Sequence, residues 1–159
     1  MSRSVFLAYP LSGATDLDEL EAFVNSVRRG LDGAGWQVLP ERGGPERLRQ
    51  DQVASPAEVL VSNVSAVTGA DVLVLLLPAV TEPTSIWIEL GMALAARIPV
   101  VVVAPPKATI PHLALLALAP GGAGGLHRAK RVEARVPGET EFVDHVVGRI
   151  IVAADSLVR

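Results

Sequence analysis

The chain has 159 residues and a formal net charge of -3 at pH 7, which is enough length for one domain with a hydrophobic core over 1–159. It has no cysteine and only 4% aromatic residues, which excludes disulfides, thiolate chemistry and an aromatic or basic surface for nucleic acid polymers. Its apolar runs fall well short of the ~20 residues of a membrane-spanning helix and no signal-peptide pattern opens the chain, so we expect a soluble, cytoplasmic protein without membrane contact.

Apolar runs alternate with amphipathic segments, which is the pattern of a parallel sheet covered by helices on both faces. In chain order we predict a strand at 5–9, a helix that starts after Asp16 and stops at Gly33, a strand at 36–39, a helix at about 57–68, a strand at 72–77, a helix within 84–96, a strand at 100–104, a short helix at 110–119, an edge strand at 130–136 and a helix at 139–157. The predicted fold is an α/β, open, doubly wound sheet of five parallel strands, of the Rossmann or flavodoxin-like type.

Glu89 is the only charged residue between Thr84 and Ala96, in a segment with the composition of a largely buried helix. A buried ionised group is normally paired, protonated or directed at a ligand. A capping box would place its acid at Trp87 or Ile88, and Glu89 fits neither spacing. Because ligands of doubly wound sheets bind beyond the carboxyl ends of the strands, Glu89 is a candidate functional residue. Interaction with the helix dipole, or a salt bridge to a distant arginine, stays open as a structural alternative.

Three stretches resemble a known group of enzymes. They are Val-Phe-Leu-Ala-Tyr-Pro-Leu-Ser-Gly-Ala at 5–14, Gly-Ala-Asp-Val-Leu-Val at 69–74, and Ile-Glu-Leu-Gly-Met-Ala-Leu-Ala at 88–95 before a hydrophobic strand. Together they make the chain similar, over nearly its whole length, to the nucleoside 2-deoxyribosyltransferase superfamily, which includes hydrolases of the N-glycosidic bond of nucleoside monophosphates. The most specific part is the Glu-Leu-Gly-x-Ala-x-Ala run.

The resemblance implies a role for each matching residue. Glu89 corresponds to the nucleophile that attacks the anomeric carbon of the sugar, and Tyr9 to a residue that orients this carboxylate or the sugar. Ser12 and Gly13 correspond to the loop that holds the phosphate, and Ser85 to a serine that contacts phosphate or sugar. Two structural alternatives stay open: Tyr9 as a core residue with its hydroxyl at the rim, and Ser85 as a helix N-cap.

Two positions depart from the family pattern. Asn63 stands where the family often has an aspartate that binds sugar or base, and an amide can form hydrogen bonds but cannot act as a general base. The first loop lacks the usual arginine with paired glycines, and Arg42, in Arg-Gly-Gly at 42–44, is the candidate replacement. Its neighbours alternate in charge, so a solvated loop is the other interpretation of this segment.

The segment 110–119 is apolar on more than one helical face, which predicts either a helix buried within the chain or one that meets a partner subunit. The resemblance implies a homodimer through this helix, with the neighbouring subunit contributing to each active site and His112 as the polar residue involved. The predicted small-molecule partner is a nucleoside or nucleotide.

Two alternative functions are open. The Val-Phe-Leu-Ala-Tyr start, Gly-Trp-Gln-Val at 35–38 and Ser85-Ile-Trp87 before Glu89 also resemble TIR-like domains, which implies cleavage of NAD. A non-catalytic nucleotide sensor is the other alternative, suggested by Asn63. We predict no metal, because the three histidines have no helical i, i+4 partner and no clustered carboxylates at ligand spacing. We also predict no cofactor.

Overall fold

The computed structural model describes residues 3–10, 17–39, 55–77, 85–106, 108, 110–111, 114, 128–134, 136 and 143–158. Five strands and four helices lie within these ranges: β1 Arg3–Ala8, α1 Leu17–Gly33, β2 Trp36–Val38, α2 Pro56–Gly69, β3 Val72–Leu76, α3 Ser85–Ala95, β4 Val100–Ala104, β5 Ala129–Glu133 and α4 Val143–Val158. None of these helices is long and apolar enough to cross a membrane.

The strands form one parallel sheet in the order β2-β1-β3-β4-β5, which confirms the predicted fold class. β3 and β4 are buried along their whole length, and this explains their unbroken Val and Leu sequences. β5 lies at the edge, as predicted, but starts one residue earlier and ends three residues earlier than the predicted 130–136. Only Val132 is buried within β5, so hydrophobic pattern marks its ends poorly.

The two faces of the sheet carry different helix pairs. Val5 and Leu7 pack in one hydrophobic cluster with residues of α1 and α4, which we call the α1–α4 layer. Phe6 and Ala8 pack in a second cluster with residues of α2 and α3, the α2–α3 layer. Alternate residues of a strand point to opposite faces, so β1, β3 and β4 each contribute to both clusters, whereas the edge strands β2 and β5 contribute to the first cluster.

Gly30 and Arg97 occupy positions with special packing or backbone requirements. A Cβ atom added to Gly30 of α1 would lie 2.1 Å from Cγ1 of Val147 in α4, so glycine is needed for the close approach of these helices. At the end of α3, Arg97 adopts a positive φ of 59°. The amide of Arg97 donates to the carbonyl of Leu94, and the amide of Ile98 donates to the carbonyl of Ala93, the pattern of a Schellman cap.

A capping box starts α2. Ser55 Oγ accepts a hydrogen bond from the Glu58 amide at 3.3 Å, and Glu58 Oε2 accepts one from the Ser55 amide at 2.9 Å. Pro56 occupies the first helical turn, where it removes no intrahelical hydrogen bond. The predicted helix at about 57–68 is therefore confirmed, and the Ser-Pro-Ala-Glu sequence was the signal for its first residue.

Two side-chain clusters fasten the amino-terminal edge of the sheet. Asp71 Oδ2 accepts hydrogen bonds from the amide and the hydroxyl of Ser4, at 2.7 and 2.9 Å. Asp155 of α4 pairs with the Arg3 guanidinium and accepts a hydrogen bond from Trp36 Nε1 at 3.1 Å. These contacts join β1 to β3 and to α4 at the edge opposite the carboxyl ends of the strands.

Candidate functional site

Glu89 lies one turn into α3, the helix that follows β3. Ile86, Leu90 and Ala93 are the buried positions through which α3 packs in the α2–α3 layer. Glu89 is 8% exposed, and within the described ranges it is the one charged side chain that is buried. The prediction of a buried carboxylate, made from its isolation in an apolar segment, is confirmed.

The structure brings Asn63 of α2 to Glu89. Asn63 Nδ2 donates a hydrogen bond to Glu89 Oε1 at 3.1 Å, across 26 residues of sequence. An ionised carboxylate can only accept hydrogen bonds, whereas a protonated one also donates. An amide donor at Oε1 therefore favours the ionised form of Glu89. It also fixes the direction in which the carboxylate points.

The other end of the same amide has no protein partner. Asn63 Oδ1 is buried, and it accepts no hydrogen bond from the residues that the structure describes. Leaving a buried acceptor unpaired costs about 1–3 kcal/mol, so such groups in native proteins usually have a specific reason.

Tyr9 follows the last residue of β1, and its ring packs in the α1–α4 layer with 3% of its surface exposed. Its hydroxyl accepts a hydrogen bond from Arg28 Nη2 at 3.4 Å. Glu89 belongs to a helix of the opposite layer, so the role of Tyr9 in orienting Glu89 stays a prediction. Sequence reasoning missed Arg28, because its position on an amphipathic helix is that of an ordinary solvent-facing base.

The remaining predicted site residues receive no structural test. Ser12, Gly13, Arg42 and His112 lie outside the described residues, as does most of the predicted helix 110–119. Ser85 is the first residue of α3. The structure does not describe its side chain, so its role as an N-cap or as a ligand contact stays a prediction. Among the residues that it does describe, no three His, Asp or Glu side chains come together as metal ligands.

The sheet order indicates where a doubly wound protein of this topology would bind a ligand. β1 and β3 are neighbours, and the chain leaves them toward opposite sides of the sheet, so a crevice is expected beyond their carboxyl ends. α3 starts on that side after β3. A buried carboxylate at this edge can stabilise a cationic centre or attack an electrophilic carbon.

No protein-family model matches the chain, and no curated protein matches its sequence. Solved structures do match. The CMP N-glycosidase BcmB from Clostridium botulinum superposes with a TM-score of 0.66 at 14% identity, covering 94% of this chain and 98% of its own. The solution structure of BlsM gives a TM-score of 0.68 at 18% identity, covering 99% and 92% of the two chains.

A 2-deoxyribosyltransferase from Bacillus psychrosaccharolyticus matches over a smaller part, with a TM-score of 0.52 at 17% identity, covering 70% of this chain and 79% of its own. At these identities the likeness concerns the fold. The resemblance noted in the sequence is thereby confirmed at the level of structure: the chain shares the fold of a CMP N-glycosidase and of a 2-deoxyribosyltransferase.

Proposed function

We propose that the protein cleaves the N-glycosidic bond of a nucleoside or nucleoside 5′-monophosphate, with Glu89 as the nucleophile. The observation that carries this proposal is the buried Glu89 carboxylate, which accepts a hydrogen bond from the Asn63 amide and belongs to the helix that follows β3. The fold shared with a CMP N-glycosidase and a 2-deoxyribosyltransferase supports the same reaction type.

The reaction proceeds in two steps. One oxygen of the Glu89 carboxylate attacks C1′ of the sugar, the base leaves with the electron pair of the broken C–N bond and takes up a proton, and a glycosyl ester of Glu89 forms. Water then attacks C1′ and loses a proton, the bond between C1′ and the Glu89 oxygen breaks, and the free sugar or sugar phosphate leaves with the carboxylate restored. The proton lost by water balances the one taken up by the base. A second base in place of water gives transfer. An anion beside C1′ in a site shielded from water stabilises the positive charge that develops there.

Other residues complete the proposed site. Ser12, Gly13 and Ser85 belong to the segments proposed to contact the phosphate or sugar, with Arg42 as a further phosphate contact and Tyr9 as an orienting residue. Their matches to the family motifs support these roles.

A substrate panel tests the proposal. Purified protein is incubated with CMP, dCMP, the other ribo- and deoxyribonucleoside monophosphates, the nucleosides and NAD, and released base is measured by chromatography. We expect base release from at least one nucleoside or nucleotide, and a decrease of at least about 10³-fold in Glu89→Gln. Glu133→Gln, an exposed glutamate on β5, is the matched control and should keep full activity.

Three outcomes contradict the proposal. Full turnover by a folded Glu89→Gln protein would show that Glu89 is not the nucleophile. Release of base from NAD and from no other substrate favours the TIR-like alternative. Binding of a nucleotide without release of base from any substrate favours a sensor.

We further propose that the protein forms a homodimer through the outer side of the α2–α3 layer. Four large apolar side chains there are between 37% and 66% exposed: Leu60, Val61, Val64 and Ile88. The only charged residues in the sequences of the two helices are Glu58 and Glu89, and Glu89 is buried. A twofold dimer packs a patch against its own copy, so an apolar patch with little charge suits a second copy of the chain.

Sedimentation equilibrium of Val61→Lys tests the dimer. Val152→Lys is the matched control, because Val152 is similarly exposed, at 70% against 66%, but lies on α4. We expect the dissociation constant of the dimer to rise at least about tenfold with Val61→Lys and to be unchanged with Val152→Lys. A wild-type protein that stays monomeric at high concentration, or equal effects of both substitutions, contradicts this interface.

A further inference from the structure

The two polar atoms of the Asn63 amide, Nδ2 and Oδ1, differ in their hydrogen bonding. Nδ2 donates to Glu89 Oε1 at 3.1 Å, and Oδ1 is buried without a hydrogen-bond partner in the described part of the chain. The contact with Glu89 fixes this orientation, because a flipped amide would set its oxygen against a carboxylate oxygen. Oδ1 is therefore offered as an acceptor, and a ligand with a suitably placed donor can complete it.

Stereochemistry narrows the identity of that donor. In a nucleoside the base projects from one face of the sugar, so a nucleophile that displaces it approaches C1′ from the other face. The 2′-hydroxyl of ribose projects from that same face, on the carbon next to C1′. A side chain that is hydrogen-bonded to the nucleophile, as Asn63 is to Glu89, is therefore well placed to contact the 2′-hydroxyl. In glycoside hydrolysis, hydrogen bonds to a 2-hydroxyl strengthen in the transition state.

We infer that Asn63 is both a positioning residue and a specificity residue: its Nδ2 holds Glu89 as an oriented anion, and its Oδ1 accepts a hydrogen bond from the 2′-hydroxyl of a ribonucleoside or ribonucleotide. This inference rests on the proposed function. It assigns the substrate sugar as ribose, because a 2′-deoxy sugar leaves the buried Oδ1 unpaired.

The test compares three sugars on the base that the panel identifies: the ribonucleotide, its 2′-deoxy form and its arabino epimer, whose 2′-hydroxyl projects from the opposite face. We expect wild-type kcat/KM for the ribonucleotide to exceed both others by about tenfold to a hundredfold. Asn63→Leu removes the acceptor and should bring the ratio of ribonucleotide to deoxynucleotide close to one. Asn25→Leu, the same change at a half-buried position of α1, is the control and should leave the ratio unchanged.

Asn63→Asp separates the two roles. Aspartate keeps an acceptor for the 2′-hydroxyl but replaces the donor to Glu89 with a second carboxylate, so the sugar ratio should be retained. Two neighbouring carboxylates do not both ionise freely, and the pH dependence of kcat/KM should change shape. A ratio that is equal for wild type and Asn63→Leu overturns the specificity role, and an unchanged pH profile in Asn63→Asp overturns the positioning role.

Failure of the proposed function is recognised separately, as the absence of base release from every substrate by the wild-type protein. Calorimetric affinities for CMP and dCMP, the pair that opens the panel, then decide the inference. A preference for ribose that is lost in Asn63→Leu and kept in Asn25→Leu supports it, and equal affinities in wild type overturn it.

Discussion

The two helical layers of this protein cover the same sheet in different ways. α1 and α4 each bury a stripe of Leu, Val and other apolar residues and turn mainly polar residues outward, as helices with one face in water do. Each has one large apolar residue in the solvent, Leu17 and Val152, which is ordinary for a protein surface. α2 and α3 expose Leu, Val and Ile side chains and contain the buried Glu89 and its partner Asn63. The first layer is explained by sheet and solvent alone. The second layer has features that neither explains, and we propose that a substrate and a second copy of the chain account for them.

Glu89→Gln gives the largest expected effect and separates function from stability. Gln keeps the size of the side chain and an oxygen that accepts from Asn63 Nδ2, so the free energy of unfolding should change by less than about 1 kcal/mol. Base release should fall at least about 10³-fold. Urea denaturation beside the chromatographic assay checks both. A large loss of stability would mean that Glu89 is a structural residue, and the contrast between the layers would lose its main support.

Gly30→Leu should show the opposite behaviour in the α1–α4 layer. Its Cβ would lie 2.1 Å from Val147 Cγ1, so the two helices must separate and stability should fall by about 1–3 kcal/mol. Urea denaturation measures the loss, and activity per folded molecule should be unchanged. Gly148→Ala, also on α4 but with no atom within 4 Å of the added Cβ, is the control for adding a side chain in this layer.

Gly91→Ala and Gly148→Ala compare the layers with one chemical change. Both glycines lie within helices and have open space for a Cβ, so alanine should stabilise each isolated helix by about 1 kcal/mol. If α3 approaches a second copy closely, Gly91→Ala should also weaken the dimer, and Gly148→Ala should leave it unchanged. Thermal unfolding at several protein concentrations, together with sedimentation, measures both quantities. Identical behaviour of the two variants would argue against contact at Gly91.

Arg97→Gly should have the smallest effect. Arg97 has φ 59° in the cap of α3, a region that glycine adopts without steric cost. We expect a gain of about 0.5–1 kcal/mol in the free energy of unfolding, measured by urea denaturation, with no change in base release. A loss of activity would show that the Arg97 side chain serves the α2–α3 layer in a way that its cap geometry does not reveal.

The sequence predicted most of the fold because the central strands are continuous apolar runs that only a sheet buried on both faces explains. The end of β5 was mispredicted, since Val136 is buried yet lies beyond the strand and extended the apolar pattern. The burial of Glu89 could be predicted from its isolation among apolar residues.

The arrangement of the candidate site was harder to predict. The contact of Asn63 with Glu89 spans two helices, and no helical or strand periodicity encodes it; the family resemblance alone indicated position 63. The layer to which Tyr9 belongs could have been derived. Alternation along β1 groups Tyr9 with Val5 and Leu7, in the layer opposite α3.

The contact of Arg3 with Asp155 has a practical consequence. It brings the start of the first strand and the end of the last helix side by side, at the edge of the sheet remote from the carboxyl ends of the strands. A fluorophore attached near residue 3 or 155 should therefore report on unfolding without obstructing ligand entry. A short linker between these positions should also permit circular permutation, which would allow the chain to be opened elsewhere while the Asn63–Glu89 pair stays intact.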